Sequence, residues 1–127
     1  MSSIGHNAYQ VNAIETASPE QLTLMCYDGA LKFMRRASMA LTDGDLARLS
    51  EATGRAQAII NELNITLNME LGGEIARNLR DIYLFVNRHL ATGVMKKDAR
   101  MLDEAMELIR GLRNSWAQAM NLEAAAA

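Results

Sequence analysis

The sequence predicts an all-α fold: an antiparallel four-helix bundle with an N-terminal arm or short extra helix, in a single domain over residues 1–127. Three observations carry this expectation. Apolar residues recur at three- and four-residue spacing through four segments, 18–41, 45–67, 74–92 and 98–120. The joins between them are a few residues long and hold Gly44, Gly72-Gly73 and Gly93. A single proline and few β-branched clusters favour helix throughout. Helices of about 20 residues would be roughly 30 Å long, and short joins then make neighbours antiparallel.

The arm, residues 1–17, shows no clear helical period. Tyr9, Val11 and Ile14 are apolar points in a polar stretch that could fray or pack back onto the body. The first helix opens on a complete start signal. Ser18 suits the N-cap, Pro19 the first helical position, and Gln21 closes a capping box. Its apolar side chains form two stripes. One is Leu22, Met25, Cys26, Gly29, Phe33, Ala37 and Leu41; the other is Leu24, Tyr27, Leu31 and Met34. Asp28, Lys32, Arg35 and Arg36 crowd the remaining arc. An apolar arc wider than half the circumference needs cover on two sides. This helix is therefore either central to the fold or partly reserved for a partner. We assign the first stripe to the core and the second to the outside.

Gly44 can take the left-handed conformation that stops a helix, and Asp45 can cap the next. The second helix is one-sided: Leu46, Leu49, Thr53, Ala56, Ile59, Ile60, Leu63 and Leu67 lie opposite Arg48, Glu51, Arg55 and Glu62. Gly72-Gly73 permits the turn into the third helix, where Glu74 suits the positive end of the helix dipole. Ile75, Leu79, Ile82, Tyr83, Val86 and Leu90 share its inner face, while Leu84 and Phe85 project elsewhere and mark a contact site. Thr92-Gly93 is expected to end this helix and Asp98 to cap the fourth, whose stripe is Leu102, Ala105, Ile109, Leu112 and Trp116 with Met106 and Met120 alongside. The expected core is Leu22, Met25, Phe33, Ile59, Leu63, Leu79, Ile82, Ile109, Leu112 and Trp116.

Composition removes several function classes. A formal net charge of -2 argues against a nucleic-acid backbone as partner, since acids elsewhere balance Arg35-Arg36 and Lys96, Lys97 and Arg100. One cysteine, Cys26, allows neither an internal disulfide nor a four-thiolate zinc site; it reads as a small buried hydrophobe. The start lacks the apolar run of a secretory signal, and no apolar stretch approaches the roughly 18 residues of a membrane span. The expectation is a soluble, cytoplasmic protein without membrane insertion. Catalytic motifs are missing: no phosphate-cradling glycine loop, no nucleophile elbow, no Glu-x-x-His pair. No enzyme activity, metal or cofactor is expected. His89 with Thr92 and Gly93 partly resembles the histidine, lysine and glycine of phosphotransfer bundles, but the lysine is missing. Phosphorelay through His89 is kept as the alternative function, and self-association through the outer stripe, which would give a homodimer, as a third. The nine methionines are core filler that also lets an apolar surface adapt to another chain.

The run from Asn7, NAYQVNAIETASPEQLTLMCYDGALKFMRRA, resembles the opening of the FliS family, the cytoplasmic export chaperones of flagellin. The resemblance continues through Gly72-Gly73-Glu74-Ile75-Ala76, Asn78-Leu79 and Ile82-Tyr83, and ends in Leu112 to Trp116. It departs at Cys26, where the family usually has leucine, and in ATGVMKKDAR, which lacks the usual Ala-Asn. The resemblance implies a bundle that holds the disordered C-terminal segment of flagellin in an extended, partly helical wrap. Such binding would prevent polymerisation in the cytoplasm and help delivery to the export gate. It also implies an N-terminal arm that lies on the binding surface when no client is present. Expected partner contacts are Leu24, Tyr27 and Leu31 on the first helix, Leu84 and Phe85 on the third, and Tyr9 in the arm.

Overall fold

The structure, a computed structural model, describes the backbone of residues 16–126 and the side chains of 16–121. Tyr9, Val11 and Ile14, and with them the expected arm, lie outside the described residues. Among the described residues four helices follow in order: α1 (Pro19–Asp43), α2 (Leu46–Ile65), α3 (Met69–Lys96) and α4 (Ala99–Ala126). They form a ring in which α1 packs on α2 and α4, and α3 packs on the same two helices from the opposite side. The expected all-α four-helix bundle is what forms. No described helix is long and apolar enough to cross a membrane.

Local chemistry sets most helix ends. The Ser18 hydroxyl accepts from the Gln21 amide at 3.2 Å, and the Gln21 side chain accepts from the Ser18 amide at 2.8 Å, which satisfies two free amides reciprocally. Gly44 sits at φ 72°, and its amide donates to the carbonyls of Ala40 and Leu41. Asp45 then caps α2 by accepting from the Arg48 amide at 3.1 Å. Asp98 caps α4 in the same way, through the Arg100 amide at 3.0 Å.

The break expected at the glycine pair is present. A short turn from Met69, in which Asn68 accepts from the Leu71 amide at 3.0 Å, precedes it. Gly73 leaves helical geometry at φ 51°, ψ -125°, a conformation closed to other residues, before the long run of α3. One expectation about α3 needs correction, because Gly93 does not end the helix. It is buried, and a Cβ there would come within 3.1 Å of Leu102 and Met101. The missing side chain serves close approach to α4, and α3 runs on to Lys96 before Lys97 turns it at φ 53°.

The core corrects the reading of α1. Tyr27, Leu31 and Met34, expected outside, are buried together with Ala30, Ala37 and Ala40. Leu22 and Met25, expected inside, are 38% and 39% exposed, and Phe33 is only partly buried. The physical reason is size. Ala30 and Ala40 carry little hydrophobic weight in a sequence pattern, yet small side chains on the inner face let helices approach closely. Ala52, Ala56 and Ala105 do the same from α2 and α4, around Leu49, Ile60, Leu63, Val86, Leu90, Leu102 and Ile109. The expected core residues Ile59, Leu79, Ile82, Leu112 and Trp116 pack at its edge.

Candidate functional site

Tyr27 and Tyr83 meet across the bundle. Their hydroxyls are 2.5 Å apart and their rings 6.5 Å apart, tilted by 44°. Burial pushes both phenols above their ordinary range, against the lowering effect of the hydrogen bond on Tyr27 and with its raising effect on Tyr83. Each hydroxyl satisfies the other in a place where an orphan would be costly. Tyr27 is thus a core residue, and so is Leu31 at 5% exposure. Neither offers the accessible contact expected of it. Leu24 is half-buried.

Leu84 and Phe85 are exposed, at 46% and 41%, as their position off the α3 stripe predicts. The structure does not bring them into one depression. Leu84 lines a small hollow with Asp81 and Arg88, whereas Phe85 turns to α4. There it forms, with Leu108, the apolar floor of an open groove of about 590 Å³, rimmed by Arg100, Asp103, Glu104 and Glu107. Leu108 is 41% exposed and was missed in the sequence; its signal is its place off the Leu102 to Trp116 stripe, the same mark that singles out Phe85.

His89 holds Phe85 in place. The two rings stack with centroids 4.8 Å apart and planes 22° apart, and Nε2 of His89 meets Glu104 Oε2 at 3.2 Å. Its side chain is 15% exposed. A phosphoryl acceptor needs a free nitrogen facing solvent, whereas this Nε2 faces a carboxylate that would repel a phosphoryl group. The geometry describes a packing residue that joins α3 to α4.

A second apolar surface lies at the end of the bundle where α1 and α3 begin. Leu22 joins Pro19, Thr23, Cys26, Glu62, Leu63 and Thr66 in a groove of about 300 Å³ between α1 and α2. Met25 lies beside it, and Ile65, Leu71 and Ile75 are strongly exposed close to the same join. The Cys26 thiol is pushed up by burial and by the Glu62 carboxylate, so it is a weak nucleophile there. Polar clasps hold the frame around these surfaces. Arg113 donates to Asp28 at 2.8 Å, Trp116 Nε1 donates to the Glu20 carbonyl at 2.9 Å, and Asn87 donates to Asn61 at 2.8 Å while its carbonyl accepts from Gln57 at 3.0 Å. Among the described residues no group of three His, Cys, Asp or Glu side chains could hold a metal ion.

Comparison with known proteins finds relatives over most of the chain. The family model for flagellar protein FliS matches residues 2–123. The chain is 39% identical over 118 residues to the flagellar secretion chaperone FliS of Bacillus subtilis, covering 93% of this chain and 87% of that one. It is 37% identical over 108 residues to the FliS of Salmonella typhimurium, covering 84% and 80%. A solved crystal structure of a bacterial flagellar chaperone superposes with a TM-score of 0.76 at 18% identity, over 92% of this chain and 98% of that one; it shows the shared fold.

Proposed function

The chain belongs to the FliS family of flagellar secretion chaperones, and we propose that its client is the C-terminal segment of flagellin. Client binding would take place in the cytoplasm, would block premature polymerisation, and would precede delivery to the flagellar export gate. The observation that carries this reading is the groove of Phe85 and Leu108 between α3 and α4. An amphipathic helix seats its apolar face in such a trough and leaves its polar face to the charged rim. A segment that is disordered when free pays an ordering cost on binding, so it needs wide apolar contact. The exposed Leu84, Leu22 and Met25 can extend the contact beyond the groove. In this proposal the arm with Tyr9, Val11 and Ile14 covers part of the surface while no client is bound.

Calorimetric titration with a peptide of the flagellin C-terminal segment tests the proposal. Phe85→Asp with Leu108→Asp is expected to weaken binding at least about tenfold, because truncated anchors at a groove centre cost more than rim contacts. Wild-type affinity in a folded double variant would overturn the assignment. Deleting residues 1–17 should raise the apparent affinity, and an unchanged value would remove the arm from the mechanism.

A further inference from the structure

Across the bundle from the Phe85 groove, α1 and α2 form a cleft of about 460 Å³ lined by Lys32, Phe33, Arg36, Arg48, Glu51, Ala52 and Arg55. Four cations face one carboxylate in a chain whose formal net charge is -2. Three of them converge on a single ring: Lys32 Nζ lies 5.5 Å from the Phe33 centroid, the Arg36 guanidinium 5.3 Å and the Arg55 guanidinium 5.6 Å. Each charge lies within 5.6 Å of the same point, so no two can be more than about 11 Å apart, close to the screening length of about 8–10 Å at physiological or slightly lower salt. The ring face offsets part of their repulsion. Two of the four guanidinium or ammonium groups already hold carboxylates, Arg55 with Glu51 at 3.3 Å and Arg48 with Asp45 at 3.9 Å. Lys32 and Arg36 have no ion-pair partner among the described residues.

We propose that the cleft around Phe33 is a second docking surface, which takes a carboxylate-rich segment of a protein partner other than the client. Charge complementarity selects the occupant. Arginine forks match carboxylates in a bidentate way, and the cleft already holds one carboxylate of its own, Glu51, 3.3 Å from Arg55 Nε. A nucleic acid fits less well. The cleft is a single short pocket rather than a track for a backbone, the Phe33 face is taken by cations and offers no platform for a base, and the chain as a whole repels a polyanion. Because the cleft lies on α1 and α2 and the groove on α3 and α4, the two can be occupied at once. The inference stands independently of the flagellin proposal.

Fluorescence anisotropy of the full chain with a labelled Glu-Ala repeat peptide is the test, with a Gln-Ala peptide of the same length and polyuridine as controls. The Glu-Ala peptide is expected to bind at least about tenfold more tightly than the Gln-Ala peptide, and more weakly as salt rises. Arg36→Glu with Arg55→Glu should lower its affinity about tenfold while flagellin-peptide affinity stays unchanged. Circular dichroism checks the fold, and Arg36→Gln with Arg55→Gln gives a neutral pair with the smaller loss expected of charge removal. Absence of Glu-Ala binding at low salt, equal binding by the reversed and neutral pairs and the wild type, or tighter binding of polyuridine that the same substitutions remove, would each overturn the proposal.

Discussion

The chain has two phenylalanines, and they stand on opposite sides of the bundle in opposite company. Phe85 on α3 stacks on His89 and shares an apolar floor with Leu108. Phe33 on α1 is ringed by Lys32, Arg36 and Arg55. Neither is buried in the core, where sequence hydrophobicity alone would put both. The difference teaches that an aromatic at the edge of a helical bundle takes its character from its neighbours. One ring presents an apolar face to a partner, and the other gathers positive charge. The two faces are separate surfaces only if a rigid core holds them apart, and experiments can break that arrangement at either face or at the core.

The largest effect is expected at the core. Leu31→Asp places a carboxylate at a position 5% exposed, with no cation beside it in the buried cluster. The cost is about 4 kcal/mol or more, in the range where buried unpaired charges unfold domains. Urea denaturation should show loss of the cooperative transition, and binding at both faces should vanish together. By contrast, Phe85→Asp should leave the urea midpoint nearly unchanged and remove only flagellin-peptide binding, at a cost of about 2 kcal/mol. A folded Leu31→Asp protein would show that α1 is not packed as described.

Leu31 also marks how much of the molecule was legible in its sequence. The helices, Ser18, Gly44, Asp45 and Asp98 as end signals, and the outward pair Leu84 and Phe85 could be read from spacing, because each depends on a few neighbouring residues. The inner face of α1 could not. Its apolar arc holds more residues than one face can bury, and hydropathy ranks Leu22 and Met25 above Ala30 and Ala40. Packing distance decides otherwise, and that depends on α2 and α4 rather than on α1 alone. Gly93 misled for a similar reason: a glycine that stops a helix and one that admits a neighbouring helix look alike in sequence. The Phe33 cleft is not legible from α1 alone: spacing puts Phe33 on the core stripe and Lys32 and Arg36 on the charged arc, while Arg48 and Arg55 reach the cleft from another helix.

The tyrosine pair between the faces gives the next effect. Tyr83→Phe leaves the Tyr27 hydroxyl buried without its partner, at a cost of about 1–3 kcal/mol. The wild type carries a pH signature as well. Both phenols are raised in the folded state, so above about pH 10 the unfolded chain loses protons that the folded chain keeps. Stability is then fully present below about pH 10 and falls as pH rises, by up to about 1.4 kcal/mol per pH unit for each phenol. Urea midpoints measured from neutral to alkaline pH should fall less steeply for Tyr27→Phe with Tyr83→Phe. An identical slope would mean that other groups set the alkaline limit.

The smallest effect separates the two phenylalanines most directly. Phe33→Leu keeps an apolar side chain of similar bulk at the α1–α2 edge but removes the ring face beneath three cations. Exposed cation–ring contacts contribute about 0.5–1 kcal/mol each, and the flexible Lys32 and Arg36 can relax into water, so the net stability loss should stay at about 1 kcal/mol. The informative reading is its salt dependence. With the ring gone, repulsion among Lys32, Arg36 and Arg55 is offset only by Glu51 and counterions, so added salt should restore part of the loss. Phe85→Leu, on the side without such a cluster, should show no salt recovery. If both variants respond to salt alike, the charge gathered around Phe33 is not what distinguishes the two faces.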